Sequence, residues 1–120
     1  MPRSLKLSQF YLLLAYATYG SLTPYPPGAM EVVSDKFIHT AGYFLFYLSA
    51  DLAFVPDRRR LRKVFLLFAY SVLIEAGQYF IPSRSFSLLD MAANLIGLLL
   101  GLAACTWLHR YLLSRRGKKD

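Results

Sequence analysis

Four apolar runs alternate with short polar segments along this chain. The runs cover about residues 7–22, 37–55, 64–81 and 88–113, and each is longer than a typical strand. The segments between them carry prolines, glycines or charges, which are residues that end helices or lie outside an apolar core. The pattern therefore predicts an all-α protein of four helices in a single domain, residues 1–120, with a basic tail at residues 114–120.

The composition places these helices in a membrane. Of the 120 residues, 56% are hydrophobic and only 18% are charged. The uncharged stretches run over Leu7–Met30, Phe37–Ala50, Val64–Ile74 and Met91–Leu108. A soluble domain of this size needs charges at short intervals to cover its surface. We therefore expect a polytopic membrane protein, a bundle of four transmembrane helices with membrane lipids as its main surroundings.

The basic residues predict the orientation of the bundle. Twelve of the 14 Lys and Arg residues precede the first helix, lie between the second and third, or lie in the last turn of the fourth and beyond it. These three places share one side of a four-helix arrangement, so the positive-inside rule puts both termini in the cytoplasm. The net charge of +7 does not indicate nucleic-acid binding, because the basic residues flank apolar segments and form no folded basic domain.

The first run has a second interpretation. A basic start, an apolar centre and the small residues of Ala15-Tyr16-Ala17 are also typical of a cleaved signal peptide. Cleavage would leave the orientation of the other three helices unchanged. The single cysteine, Cys105, lies in an apolar run, so it forms no disulfide within the chain and completes no metal motif.

Polar side chains collect near the outward ends of three of the predicted helices. They are Asp35, Lys36, His39 and Tyr43 on the second, Glu75 and Gln78 on the third, and Asp90 and Asn94 on the fourth. A charged side chain facing lipid costs about 2.5–3.5 kcal/mol on insertion scales. We therefore expect these stripes to face one another around a polar pocket that opens outward. Arg84 lies in the adjoining loop, and Gly97 and Gly101 have the spacing of a close helix contact.

The same residues resemble the VanZ-like family of small bacterial membrane proteins. The resemblance covers about Ser34 to Gly101. It rests on an ordered set of polar positions, namely Asp35-Lys36-x-x-His39-x-x-x-Tyr43, Glu75-x-x-Gln78, Arg84, and Asp90-x-x-x-Asn94-x-x-Gly97. The family is named for a member associated with resistance to teicoplanin, a glycopeptide that acts on cell-wall precursors outside the cytoplasmic membrane. The resemblance implies a multi-pass protein of the bacterial cytoplasmic (inner) membrane, and it implies no particular reaction.

Three functions are compatible with this pattern. The first is a binding protein whose pocket holds the headgroup of an envelope lipid, a cell-wall precursor or a glycopeptide. The second is an enzyme at the outer leaflet, in which Asp35, His39, Glu75 and Asp90 supply acid and base groups or an oxygen-rich metal site with one histidine. The third is a small transporter or proton relay, which would require an oligomer because four helices are few. No motif in the sequence assigns a metal, a cofactor or a catalytic residue.

The predicted topology can be tested by labelling. In a Cys105→Ser background, single cysteines replace Ser34, Ser85 or Arg60, and cells with the outer face exposed receive a membrane-impermeant thiol reagent. We expect the first two positions to react and Arg60→Cys to react only after permeabilisation. Reaction of Ser34→Cys and Ser85→Cys on opposite sides would contradict a shared outward pocket.

Overall fold

The computed structural model describes residues 1–23, 32–54, 60–82 and 87–119, with side chains from residue 36 onward in the second of these ranges. Within these ranges the chain forms four α-helices and no strand. They are α1 Arg3–Leu22, α2 Val32–Ala53, α3 Arg60–Gln78 and α4 Leu88–Gly117. The predicted all-helical class with four helices is thus confirmed for the described residues.

The helix ends differ from the predicted ones by several residues. The first three helices begin four or five residues before their apolar runs, because the polar residues ahead of each run continue the helix. Arg and Lys are good helix formers, so a helix can begin before the apolar run that reveals it. Helix α3 stops at Gln78 and a turn follows before Pro82. Helix α4 continues to Gly117, four residues beyond its predicted end.

Helices α2 and α4 run in the same direction. At their starts Lys36 forms an ion pair with Asp90. Near their ends Asp51 contacts His109, with 3.1 Å between Asp51 Oδ2 and His109 Nε2. Pairs that follow the same order along both helices require parallel axes. The starts of these two helices therefore meet, as do their ends.

Helices α1 and α3 run against α2 and α4. Thr18 and Tyr70 share a hydrogen bond of 2.6 Å, and Gln78 Nε2 donates to Ser21 O at 2.9 Å, which makes α1 and α3 parallel to each other. Lys63, at the start of α3, reaches α2 near its end. The start of α1, the start of α3 and the end of α4 consequently lie at one end of the bundle, which we call the basic end.

Two glycines bring α2 and α4 into direct contact. A Cβ built on Gly97 would lie 2.3 Å from Thr40 O, and one built on Gly101 would lie 2.7 Å from Tyr47 Cβ. Real Cβ atoms do not come this close to their neighbours, so both positions need glycine for the observed separation of the helices. Small residues at such contacts allow the backbones of membrane helices to pack closely.

The core next to this contact is aromatic. Phe10 of α1 packs edge-on against Phe46 and Phe54, and Phe46 also faces Tyr43 and Tyr70 at centroid distances of 5.6 and 5.7 Å. Edge-on pairs of this kind add roughly 0.5–1.5 kcal/mol beyond the burial of their area. The core therefore joins α1 and α3 to the α2–α4 pair.

One described helix is long and apolar enough to cross a membrane by length and composition. That helix is α4, which has 30 residues and a mean hydropathy of 1.9 over its most apolar window. At 1.5 Å per residue it exceeds the roughly 30 Å of a bilayer's hydrocarbon core.

The glycine contact predicts a stability difference between two Gly→Ala variants. Gly97→Ala should lower the free energy of unfolding by about 1–3 kcal/mol, because the new methyl group overpacks the interface with Thr40. Gly42→Ala is the matched control, since a Cβ at Gly42 of α2 meets nothing within 4 Å. Thermal unfolding of both purified proteins in detergent measures the difference.

Alanine at Gly42 should be neutral or slightly stabilising, because alanine has the higher helix propensity. Equal unfolding temperatures for the two variants would contradict the close approach of α2 and α4.

Candidate functional site

A buried polar cluster lies where the starts of α2 and α4 meet the end of α3. The Lys36 ammonium group of α2 forms an ion pair with Asp90 Oδ1 of α4. Ser87 caps α4, and its side chain accepts a hydrogen bond from the backbone N–H of Asp90 at 3.2 Å. Serine at an N-cap and aspartate in the first turn both suit the positive end of the helix dipole. One carboxylate oxygen of Asp90 is therefore bound to the ammonium group of Lys36.

His39 lies one turn further along α2 and faces the same part of α4. Its Nδ1 donates to Asn94 Oδ1 at 2.9 Å, and its Nε2 lies 3.8 Å from Asp90 Oδ2. An amide oxygen only accepts hydrogen bonds, so Nδ1 carries the proton in this contact. Nε2 then faces the second oxygen of Asp90.

Glu75 of α3 completes the cluster and is almost fully buried, with a relative exposure of 1%. Its Oε2 accepts a hydrogen bond from the backbone N–H of Ser87 at 3.1 Å, which joins the end of α3 to the start of α4. Its Oε1 has no hydrogen-bond partner among the described residues. A buried acceptor without a partner costs roughly 1–3 kcal/mol, and more when it is charged. Glu75 is therefore the member of the cluster that is best placed to accept a ligand.

The cluster brings three metal-ligating side chains together. One ligand atom each from His39, Glu75 and Asp90 lies within 4.8 Å of the other two. Asn94, 2% exposed, adjoins this group through its hydrogen bond to His39. Three helices thus contribute a base, two carboxylates and an amide to one small volume.

Other predicted pocket residues lie elsewhere or outside the described side chains. Gln78 is buried, but its amide donates to Ser21 O at the end of α1. The ring of Tyr43 packs against Phe46 in the aromatic core, and its hydroxyl lies near Ser71 and Glu75 of α3. The side chain of Asp35 and the whole of Arg84 lie outside the description. The structure therefore describes only part of the predicted pocket. Five of its residues lie around one point: Lys36, His39, Glu75, Asp90 and Asn94.

A second polar cluster lies at the basic end, and it was not predicted from the sequence. Asp51 Oδ1 accepts a hydrogen bond from Lys63 Nζ at 3.0 Å, and Asp51 Oδ2 contacts His109 Nε2 at 3.1 Å. No pattern in the sequence predicts this contact between Asp51 and His109. The available signal was the spacing on α4, since Gly101, Cys105 and His109 follow one another at intervals of four residues on the face that meets α2.

A layer of fully buried side chains separates the two clusters. Tyr47 of α2 and Leu98 of α4 both have a relative exposure of 0%. Leu98 offers no polar atom. The two clusters therefore act as separate sites, one at each end of the bundle.

A family model described as VanZ/LLP1 matches residues 35–109 of the chain. The match includes every member of both clusters. No curated protein and no solved structure matches the chain significantly.

The cluster at the basic end should be structural. Lys63→Met would leave the buried Asp51 carboxylate without its lysine partner. Breaking such a buried ion pair lowers the free energy of unfolding by about 3–5 kcal/mol. The control Lys118→Met changes an exposed lysine in the turn after α4 and should stay within about 0.5 kcal/mol of the parent. Thermal unfolding in detergent compares them.

Asp51→Asn combined with Lys63→Met should destabilise less than the sum of the two single changes, because the partners interact directly. Additive effects, or a Lys63→Met protein as stable as Lys118→Met, would show that the ion pair contributes no stability.

Proposed function

We propose that this chain, which belongs to the VanZ/LLP1 family, is a multi-pass protein of the bacterial cytoplasmic membrane that binds a polar headgroup at its outer face. The observation that carries the proposal is the distribution of polar groups. Charged and amide side chains from three helices are buried together, while large apolar side chains are exposed on the outside of the bundle. This is the arrangement that a lipid solvent favours.

The exposed apolar surface supports membrane insertion of all four helices. Side chains more than half exposed occur on each helix. They include Leu12, Tyr16 and Tyr19 of α1, Phe37 and Leu45 of α2, Phe65 and Leu73 of α3, and Leu89, Leu100 and Leu112 of α4. Soluble monomers rarely expose contiguous apolar surface on this scale. The helix directions gather the basic residues at one end, which agrees with a cytoplasmic basic end and an outward polar cluster.

The chemistry of the polar cluster suits a phosphate-bearing or sugar-bearing headgroup. The side chain of Lys36 is about one third exposed while that of Asp90 is nearly buried, so an anionic ligand can approach the ammonium group from the rim. Lysine binds phosphate as a compact point charge. The unpartnered Oε1 of Glu75 would accept a hydrogen bond from a hydroxyl or amide group of the same ligand. Cell-wall precursors and glycopeptides both offer such groups.

The proposed biological role is a contribution to teicoplanin-type resistance or to envelope homeostasis. A protein that occupies the headgroup of a precursor, or the glycopeptide itself, would reduce the fraction of drug bound to its target. Arg84, in the loop between α3 and α4, is the further cation proposed for this outer site.

An enzymatic function is the second candidate. It is favoured by the proximity of His39, Glu75 and Asp90, since an imidazole and two carboxylates within 4.8 Å are groups that acid–base catalysis uses. In that case the same headgroup would be a substrate. Turnover of a lipid-linked precursor by the purified protein would distinguish the two functions.

Binding can be measured directly. The probe is undecaprenyl diphosphate in detergent, added to the purified full chain and followed by microscale thermophoresis. Lys36→Gln should weaken binding by roughly 10–100-fold, because a hydrogen bond to a charged group contributes about 1.5–3 kcal/mol. Lys118→Gln, a change in the tail at the basic end, should bind like the parent. Equal affinities for the parent and Lys36→Gln would refute the proposed contact.

The resistance role can be tested in cells. Expression of the parent in a teicoplanin-sensitive bacterium should raise the inhibitory concentration of the drug. Glu75→Gln and Arg84→Ala should return it to the value of the empty vector without lowering the amount of protein in the membrane, which immunoblotting measures. His109→Gln, at the opposite end, should keep the parent phenotype. Full resistance in both outer-site variants at equal abundance would exclude this role for the cluster.

A further inference from the structure

We infer that His39, Glu75 and Asp90 form a binding site for one divalent transition-metal ion, of the kind that Zn²⁺ occupies. The inference goes beyond headgroup binding and does not depend on it. It rests on three observations at the cluster: the spacing of the ligand atoms, the orientation of the imidazole, and the buried carboxylate oxygen without a partner.

The spacing is close to that of the ligands around a single ion. His39 Nε2 and Asp90 Oδ2 are 3.8 Å apart, and the ligand atoms of all three residues lie within 4.8 Å of one another. A zinc ion lies about 2.0–2.2 Å from nitrogen and oxygen ligands, and tetrahedral angles then put two ligands of one ion roughly 3.3–3.6 Å apart. At 3.8 Å the His39–Asp90 contact is too long for a direct hydrogen bond, whereas an ion fits between the two atoms.

The imidazole is oriented as metal-bound histidines usually are. The hydrogen bond from His39 Nδ1 to Asn94 Oδ1 fixes the ring, and Nε2 faces Asp90 Oδ2 at 3.8 Å. Metal-ligating histidines almost always donate their other ring nitrogen to a carbonyl, carboxylate or water in this way. Asn94 would therefore position a ligand without touching the ion.

The side chain of Glu75 gives independent evidence that a ligand binds at this cluster. Its side chain is almost fully buried, Oε2 is bound by the Ser87 N–H, and Oε1 has no partner among the described residues. An ion between the three helices would satisfy this oxygen. The nitrogen ligand favours a transition ion over Mg²⁺ or Ca²⁺, which prefer oxygen ligands.

The ion would also change the charge of the cluster. With a neutral imidazole, the described ionisable side chains there are two carboxylates and the Lys36 ammonium group, for a net charge of −1. A divalent ion makes it +1. Three protein ligands leave a coordination position open, as in catalytic rather than structural zinc sites. An anionic oxygen of a ligand at the outer face could occupy that position.

The test uses the purified full chain in detergent, stripped with a chelator and with any polyhistidine tag removed, because such a tag binds Zn²⁺. Equilibrium dialysis against Zn²⁺ followed by elemental mass spectrometry should find one ion per chain. No headgroup ligand is present, so the result is independent of the binding assay with undecaprenyl diphosphate.

Three variants locate the ion. Asn94→Leu should weaken Zn²⁺ binding by about 10–100-fold, the usual effect of losing the outer partner of a metal-bound histidine. His39→Gln and Glu75→Gln should weaken it further, because each removes a ligand atom. His109→Gln is the matched control, since it removes the chain's other histidine from the opposite cluster and should leave the affinity unchanged.

Glu75→Gln should still fold, because its amide oxygen can accept the hydrogen bond from the Ser87 N–H. Zn²⁺ at 100 times its dissociation constant should stabilise the parent by about 2.7 kcal/mol, which appears as a higher unfolding temperature, and should not stabilise Glu75→Gln. Co²⁺ should give visible absorption bands in the parent and in His109→Gln only. Less than one ion per parent chain, or equal affinity in the parent and Glu75→Gln, would overturn the inference, as would loss of the ion in His109→Gln alone.

Discussion

The close approach of α2 and α4 determines how the polar residues of this protein meet. Because no Cβ fits at Gly97 or Gly101, the two helices lie in one register with little freedom to slide. That register brings Lys36 to Asp90 at one end of the bundle and Asp51 to His109 at the other. A slip of one helical turn, about 5.4 Å, would separate both pairs at once. The glycine contact and the polar pairs therefore stabilise the same register of α2 against α4.

The helices and their directions were largely predictable from the sequence, because both follow from local patterns. Apolar runs of about 18 residues indicate helices, and the clustering of basic residues indicates which ends belong together. The helix starts were less predictable. Polar residues such as those from Arg60 to Lys63 extend a helix beyond the apolar surface that reveals it. The end of an apolar run therefore differs from the end of the helix that contains it.

The candidate site was predictable as a set of faces but not as a set of contacts. Spacing along one helix shows which residues share a side, and this was enough to group His39, Glu75, Asp90 and Asn94. Spacing does not show what the neighbouring helix offers at each depth. Gln78 illustrates the difference, since its amide bonds a carbonyl group left free at the end of α1.

The contact between Asp51 and His109 joins residues 58 positions apart, and only the register of α2 against α4 places them together. No pattern confined to one helix contains that register. Glycine spacing on α4 indicates that a close contact exists, but it does not identify the residues of α2 that fill it.

The two polar clusters differ in how completely their groups are satisfied. At the basic end both oxygens of Asp51 have partners, Lys63 and His109, so the cluster is closed and can serve to hold α2, α3 and α4 together. At the opposite end Glu75 is at least as deeply buried, yet one of its oxygens has no partner in the described structure. An arrangement that costs folding energy persists only if other contacts offset it, and the glycine contact and the closed cluster are suited to that role. The unsatisfied cluster is then the place where a ligand gains most from binding, because the ligand supplies interactions that the folded chain alone does not make.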